Sequence, residues 1–463
     1  MNDIAEPAWA HDPRALRGRR VVVMGLGVQS GGLGVATFMR DHGAELVVTD
    51  LRTEAELAPS LAALGTRGVR YVLGRHEIGD FERAEIVVRN PAVRAGSPFL
   101  RAARDAGAYL EMEFTLFLRW CRQARVIGVT GTRGKTTTAT ALHAMLVAGG
   151  ARALLAGNMR VSALARLHEI EPASTVVLEL SSAQLEGLAG TGLRTRGAIV
   201  TNLMADHLDR YADMLAYAEA KLSLVANQRA GDWAVIPEGG GWADWFAARA
   251  GATVVRPDLR RAPPGWPDAR VSGRHNRANL ALAAAAARQA GVDEIAIERA
   301  VRGFGGVSAR QEMVGTIDGI RAVNDTTATT PEAALAALAA VPGPWVLIAG
   351  GSDKRLDFAP LAARLRATAG LRGVVLLPGA GTDRLLPLLD GCRVDTVADM
   401  AQAVDRALAL ARPGDALLLS PACASFGLFA NEFDRGDQFV ARLRQLGLQP
   451  PARPRAGADP DGG

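Results

Sequence analysis

Ala124-Arg-Val-Ile-Gly-Val-Thr-Gly131-Thr-Arg-Gly-Lys135-Thr-Thr-Thr138 is an apolar run that breaks at glycines and resumes as a helical pattern to Val147. A short continuous apolar run bounded by turn residues reads as a buried parallel strand. The order strand, glycine turn, lysine, threonine, helix has a physical meaning. Glycines let backbone N–H groups approach an anion, and a helix N-terminus adds its dipole. Lys135 supplies a point charge and Thr136 a hydroxyl for a hard cation. The pattern is G-x-x-G-K-T, shorter than the common G-x-x-x-x-G-K-T. It predicts a phosphate-binding loop in a central α/β domain, with Gly131, Thr132, Arg133, Gly134, Lys135, Thr136 and Thr137 around the phosphates.

Downstream, strands end in polar groups. Thr175-Val-Val-Leu-Glu179 delivers Glu179 beside Ser181 and Ser182, with Gln184-Leu-Glu186 following. Gly197-Ala-Ile-Val-Thr-Asn202 leads into Asp206-His207-Leu-Asp209-Arg210-Tyr211 and a helix carrying Lys221. In open α/β sheets, ligands sit beyond the carboxyl ends of the strands, and acids arriving there beside a phosphate loop suit Mg²⁺. Taken alone, an Asp-His pair is more often a turn or a helix cap, but the full run Asp206–Tyr211 after a strand in the same unit points to cation ligands. From Trp233 to Ser272 the chain is rich in Gly, Pro, Arg and Trp, with short strands at Trp233–Ile236 and Thr253–Val255. Gly273-Arg-His275-Asn276-Arg-Ala-Asn279 then opens a long Ala-rich helix, where His275 and Asn276 either cap it or face a nucleotide.

Upstream, Arg20-Val-Val-Val-Met24, Gly25-Leu-Gly-Val-Gln-Ser-Gly-Gly32 and Ala44-Glu-Leu-Val-Val-Thr-Asp50 form a βαβ pattern with a glycine-rich first turn. The spacing G-x-G-x-x-x-G departs from the dinucleotide fingerprint, although Asp50 stands at the ribose-reading distance. Further strands are predicted at Arg70–Leu73 and Ala84–Arg89. In the last third, strands at Ile320–Val323, Trp345–Ala349, Val374–Leu377 and Ala416–Ser420 alternate with helical patterns. Their ends carry Asn324-Asp325-Thr-Thr-Ala-Thr-Thr330, Gly350-Gly-Ser-Asp-Lys354 and Ser420-Pro-Ala-Cys-Ala-Ser425. This is a second doubly wound unit. The fold expected is α/β in three domains: a Rossmann-like domain over 1–121, a P-loop-type ATPase domain over 122–309, and a Rossmann-like domain over 310–463. A disordered tail is expected from about 449.

Composition agrees with this reading. A chain of 463 residues suits two to four domains, and 49% hydrophobic with 22% charged residues excludes a largely disordered protein. No apolar stretch is long enough to span a membrane, and no apolar signal segment opens the chain. Three widely separated cysteines, Cys121, Cys392 and Cys423, make no disulfide framework or metal clip. A reducing, cytoplasmic setting follows as an expectation. A net charge of +5 without a basic block gives no reason to expect a nucleic-acid partner. Only three of the 53 basic residues are lysines: Lys135, Lys221 and Lys354. All three fall inside the motifs quoted above. Arginine cannot replace lysine where a compact charge or a free amine is needed.

With these motifs in order on matching strand ends, the chain resembles the Mur ligase family over nearly its whole length, from Val21 to about Gly447. The resemblance rests on Gly131–Thr137, Gly157-Asn158, Glu179–Ser182 with Gln184–Glu186, Asp206–Tyr211, Lys221, His275-Asn276, Asn324-Asp325, Gly350-Gly351 with Lys354, and Ser420–Ser425. It implies an ATP- and Mg²⁺-dependent amide ligase of peptidoglycan precursor synthesis. Such an enzyme adds D-glutamate to UDP-N-acetylmuramoyl-L-alanine through an acyl phosphate and closes its domains around the reactants; a monomer is expected. The resemblance further implies that Lys135, Glu179, His207 and Lys221 are catalytic. Thr136, Glu179, His207 and a carbamylated Lys221 would hold Mg²⁺. Asn276, Arg310 and Asp325 would contact the nucleotide. Gly27, Gln29, Ser30, Asp50 and Arg52 would line the uridine-diphosphate pocket. Asn158, Ser181 and Ser182 would lie along the sugar-peptide, and Thr329, Lys354 and Ser425 would receive the incoming glutamate.

The chain departs from the glutamate-adding pattern at Thr327, where a lysine is common, at Ala309, where a histidine is, at Gly427, where an aspartate is, and at Glu432, where an aromatic is. These positions cluster around the amino-acid pocket. On the residues alone, D- versus L-glutamate stays open, as does another Mur-type or folylpolyglutamate-type ligase. The 120 or so residues ahead of the phosphate loop, with their own βαβ unit, weigh against the folate reading. A nicotinamide dehydrogenase would leave Lys135 and Lys221 unexplained. A non-catalytic nucleotide-binding regulator would have no need of Glu179, His207 and Lys221 together.

Overall fold

The structure, a computed structural model, describes residues 6–27, 30–157, 162–208, 210–269, 271, 273–353 and 356–451. The chain divides into two compact units, Met1–Trp266 with Arg274–Arg302, and Pro267–Gly273 with Gly303–Gly463.

The first unit holds two parallel sheets. The first comprises β1 (Arg20–Met24), β2 (Glu45–Asp50), β3 (Val69–Leu73), β4 (Ile86–Arg89) and β5 (Tyr109–Glu111), in the order β3-β2-β1-β4-β5. The order reverses beside β1, so a crevice opens between the carboxyl ends of β1 and β4. The second comprises β6 (Arg125–Thr130), β7 (Ala153–Gly157), β8 (Thr175–Glu179), β9 (Gly197–Val200), β10 (Trp233–Val235) and β11 (Thr253–Val255), in the order β11-β10-β9-β6-β8-β7. The strand ahead of the phosphate loop, β6, lies between β9 and β8. Within residues 233–272, β10 and β11 supply the two outermost strands of this sheet on the β9 side.

Both sheets feed one apolar cluster. Val21, Val35 and Met39 from the first meet Phe117 and Leu118 of helix Glu113–Trp120, and the cluster continues into Val126, Leu178 and Leu180 of the second. Helix Lys135–Ala148 packs along helix Arg274–Gln289, whose Ala281 and Ala283–Ala287 are all buried. Small side chains there allow a close approach of the two backbones.

The second unit contains β12 (Glu312–Ile317), β13 (Ile320–Asn324), β14 (Trp345–Gly350), β15 (Leu371–Leu377), β16 (Val394–Thr396) and β17 (Ala416–Leu419), in the order β12-β13-β17-β14-β15-β16. Only β12 is antiparallel, and it lies at an edge. Strand alternation divides the core between two faces: Leu347, Ala349, Val374, Leu376 and Leu418 on one, Val346, Ile348, Val375, Leu377 and Leu419 on the other. Gln449 exchanges two backbone hydrogen bonds with Thr316, at 2.8 and 2.9 Å. The disordered tail expected from about 449 does not begin at Gln449; residues 452–463 lie outside the described residues. Strands β5, β7, β12 and β16 were not anticipated. They are short, or mixed in polarity, and carry little periodic signal.

No helix among the described residues is long and apolar enough to cross a membrane.

Candidate active site

Beyond β6 the backbone turns at Gly131, with φ at 146°, and again at Gly134, with φ at 79°. A Cβ on Gly131 would lie 1.9 Å from Thr201 Oγ1, and one on Gly134 would lie 2.2 Å from Asn279 Oδ1. Only glycine fits either place. The loop is pinned from the β9 side: Asn202 Oδ1 accepts from Arg133 N at 2.9 Å and Thr201 Oγ1 donates to Arg133 O at 2.6 Å. Gly134 is the N-cap of helix Lys135–Ala148, without a side-chain cap and with no acid in the first turn. The first N–H groups of this helix are thus left without a side-chain cap, an arrangement that suits an anion. Lys135 Nζ folds back onto the loop, donating to Gly131 O at 3.1 Å and Thr132 O at 2.9 Å. Thr136 and Thr137 are half-buried in the same turn of helix.

Lys221 Nζ donates to the same carbonyl, Gly131 O, at 3.1 Å. Its side chain is 1% exposed and lies over the Tyr217 ring, 4.6 Å from the centroid. Burial, and then the charge of Lys135, push the Lys221 ammonium down to about 7, while Asp206 pulls the other way. A buried amine that is substantially neutral near pH 7 is a nucleophile, which a guanidinium never is. Tyr217 also joins the loop, its hydroxyl 3.2 Å from Thr132 Oγ1, and its ring lies 5.9 Å from that of His207. His207 is exposed and has a left-handed backbone, φ 55°. Glu179, 2% exposed, closes β8 one strand away, in register with Val129 and Gly157.

Glu179 and the Thr136 hydroxyl are hard oxygen donors beside a phosphate loop. No cluster of three His, Cys, Asp or Glu side chains occurs among the described residues. The oxygen donors fit a small hard cation that completes its shell with phosphate oxygens and water.

In the first sheet, Asp50 is buried at the end of β2. Its oxygens accept from Gly27 N at 3.0 Å and Arg52 N at 2.9 Å. The carboxylate placed by spacing at the ribose-reading position thus fastens the glycine turn as well. Ser30 opens helix Ser30–Asp41; Gln29 lies outside the described residues, as does Asn158. Ser181 has a local duty: it is an N-cap in a capping box with Gln184. Ser182 is buried and hydrogen-bonded to Tyr211. His275 and Asn276 do not cap: helix Arg274–Gln289 already includes both in its first turn.

In the second unit, Asp325 is 5% exposed, accepting from Ser420 Oγ at 2.8 Å and Gln311 N at 3.1 Å. Burial pushes its carboxyl up to about 7 against those two bonds and the charge of Arg310. Arg310 is exposed, Thr329 half-buried and Ser425 buried; Lys354 lies outside the described residues. Two of the departures are partners: Thr327 Oγ1 donates to Ala309 O at 2.9 Å. Gly427 has φ 95° and Glu432 opens helix Glu432–Gln445.

Two residues at these sites were not singled out from the sequence. Asn279 is buried against Gly134, with its Oδ1 3.5 Å from Thr138 Oγ1. Arg435 is fully buried, donating to Thr326 Oγ1 at 3.0 Å, Thr326 O at 2.7 Å and Cys423 O at 3.1 Å. It ties the 324–330 loop to the 420–425 loop. The available signal was periodicity: Arg435 shares an apolar helix stripe with Phe439 and Leu443, an unusual place for a cation.

Comparison with known proteins matches this geometry to one family. A profile of the Mur ligase MurD-like N-terminal domain matches residues 19–110, one of the Mur ligase middle domain residues 129–256, and one of the Mur ligase glutamate ligase domain residues 309–423. The UDP-N-acetylmuramoylalanine–D-glutamate ligase of Roseiflexus sp. (strain RS-1) is 45% identical, over 92% of this chain and 98% of the relative. That of Geobacter metallireducens is 35% identical, over 93% and 98%. Among solved structures, the fold is similar to UDP-N-acetylmuramate-alanine ligase MurC from Thermotoga maritima, with a TM-score of 0.57 and 19% identity over 92% of this chain and 99% of that one. With three profiles in sequence and relatives matched almost end to end, the chain belongs to the Mur ligase family, on its MurD-like branch.

Proposed function

We propose that this chain joins D-glutamate to UDP-N-acetylmuramoyl-L-alanine at the expense of ATP, in the cytoplasm and as a monomer, as a step of peptidoglycan precursor synthesis. The observation that carries the chemistry is the lysine pair on Gly131 O: one lysine in a phosphate loop, the other buried and held near neutrality. The names of the relatives carry the choice of substrate.

In this reading residues 1–121 hold the uridine diphosphate through Gly27, Gln29, Ser30, Asp50 and Arg52. Residues 122–309 hold ATP through Gly131–Thr137 and Asn276, and the sugar-peptide through Asn158, Ser181 and Ser182. Residues 310–463 supply Arg310 and Asp325 to the nucleotide, and Thr329, Lys354 and Ser425 to glutamate. Thr136, Glu179, His207 and Lys221, the last as a carbamate, would hold Mg²⁺, whose charge offsets the repulsion between an anionic nucleophile and an anionic phosphate. The carbamate forms when the neutral Lys221 amine adds to carbon dioxide and sheds a proton.

The alanine carboxylate attacks the γ-phosphorus of ATP, the bond to ADP breaks, and an acyl phosphate forms. The neutral glutamate amine then attacks the acyl carbon. The tetrahedral adduct loses phosphate, which keeps the former carboxylate oxygen, and the nitrogen loses a proton as the amide forms. Lys135 and the loop N–H groups stabilise charge developing on the transferred phosphoryl group. Holding carboxylate, phosphate and amine in line is the larger part of the catalysis.

The test is phosphate release with ATP, Mg²⁺ and UDP-N-acetylmuramoyl-L-alanine, comparing D-glutamate, L-glutamate and no amino acid. Release with D-glutamate alone is expected. Release with L-glutamate alone would keep the mechanism and overturn the stereochemistry. No release with either would overturn the substrate assignment.

A further inference from the structure

One half-buried carboxylate in the first unit belongs to none of the roles above. Glu186 follows the short helix Ser182–Leu185 beyond β8. Arg210 grips both its oxygens, Nε to Oε1 and Nη2 to Oε2, each at 2.8 Å, and Tyr211 Oη reaches Oε1 at 2.8 Å. Arg89, the last residue of β4, reaches Glu186 Oε2 from the first sheet at 3.4 Å and anchors itself on Val93 O at 2.7 Å. Arg89 is 7% exposed. Arg89 is buried and Arg210 and Glu186 are half-buried, so desolvation offsets much of the Coulomb gain and stability alone gives little reason for a second cation on this anion.

Each leg of the network ends on a segment that carries a residue of the site. Arg89 ends β4 at the crevice beside β1 and the glycine turn. Glu186 is four residues from Ser182, which bonds Tyr211. Arg210 N and Tyr211 N donate to the carbonyl of His207, at 3.0 and 3.1 Å, and so close the turn in which His207 takes its left-handed backbone. The Tyr211 ring lies 5.3 Å from that of Tyr217, which carries Lys221 on its face. A left-handed non-glycine residue persists only where its surroundings over-determine it.

We propose that Glu186 is a positioning residue that couples the nucleotide-sugar end of the site to its cation end. With Oε2 shared by Arg89 and Arg210 and Oε1 by Arg210 and Tyr211, it fixes where His207 stands relative to the first sheet. This rests on the proposed role of His207 as a cation ligand. Arg89 is the sensing leg, because among the described residues it is the side chain of the first sheet that hydrogen-bonds Glu186.

The test uses the full chain as Glu186→Gln, Arg89→Met and the double variant, with melting temperatures as a folding control. Mg²⁺-dependent ADP binding is read by calorimetry, and steady-state kinetics are read for each substrate. Loss of a residue that orients a cation ligand costs roughly tenfold or more in cation affinity or activity. Glu186→Gln is expected to raise the Mg²⁺ concentration for half-maximal ADP binding by about tenfold, leaving ADP affinity at saturating Mg²⁺ nearly unchanged. Arg89→Met, which spares the His207 turn, is expected to raise KM for the UDP-linked substrate, and the double variant to match Glu186→Gln alone. An unchanged Mg²⁺ requirement in Glu186→Gln with a lowered melting temperature would overturn the proposal and leave a purely structural tie. Effects that multiply in the double variant would overturn the coupling. Failure of the wild-type protein to release phosphate would instead count against the substrate assignment, while calorimetry would still decide the role of Glu186.

Discussion

Lys221→Met should make the protein more stable and inactive. The buried ammonium is pushed from 10.5 to about 7, chiefly by burial and then by Lys135. Each pKa unit is worth about 1.4 kcal/mol, so carrying this lysine costs up to about 5 kcal/mol at pH 7 and below. Losing the 3.1 Å bond to Gly131 O and the contact with Tyr217 offsets part of that, by about 1–2 kcal/mol. A net gain of about 3 kcal/mol at pH 7 is expected. The sign follows from proton counting. Between about 7 and 10.5 the unfolded chain binds more protons at this site than the native one, so wild-type stability rises with pH in that window. The methionine variant lacks this slope, so its advantage shrinks between pH 7 and 9. Urea unfolding of both proteins at those two pH values, with phosphate release alongside, measures it. A variant no more stable at pH 7, or one whose advantage does not change with pH, would refute the idea that a destabilised neutral amine is kept here for function.

Gly134→Ala forces a Cβ to within 2.2 Å of Asn279 Oδ1 at a φ of 79°. A loss of about 2 kcal/mol is expected, with disappearance of the rise in melting temperature that ADP gives the wild type, read by thermal shift. Glu113 is pushed up to about 7 by burial, against bonds from Ser162, Leu164 and Ala163. A raised carboxyl pKa contributes stability that is complete below about 4.5 and lost as pH rises through about 7. Glu113→Gln should therefore abolish a loss of about 3 kcal/mol between pH 4.5 and 8, visible in denaturant midpoints. Arg435→Met strands the carbonyls of Thr326 and Cys423 in a buried place, at about 1–3 kcal/mol each. The expected result is a lowered unfolding midpoint for the second unit and a raised KM for glutamate with the KM for ATP little changed.

The strand, glycine turn and helix around Lys135, and the acids at strand ends, were readable because each is a local pattern. Val126 to Thr138 makes a strand, a glycine turn and a helix from neighbouring residues, and its three glycines all sit where a Cβ would collide. The scarcity of lysine marked Lys221 for the same reason: a count needs no contacts. Strand content survived in the long apolar runs and failed in β5, β12 and β16, where three to six residues of mixed polarity become strands because a neighbour offers a ladder, and in β7, a short Ala-Leu run without a strand's alternation. Asp50 was legible as an acid at a strand end, but its bonds to Gly27 and Arg52 follow from the turn that brings those amides to it. Arg435, Asn279 and the Arg89–Glu186–Arg210 network were invisible in the sequence. Their partners lie tens to more than a hundred residues away, and nothing in a run of neighbours encodes which distant carbonyl a buried guanidinium will meet. Lys221 shows the division most clearly. Its identity is a matter of sequence, but its low affinity for a proton comes from the packing of Tyr217 and the nearness of Lys135, because burial and charge act through space and not along the chain.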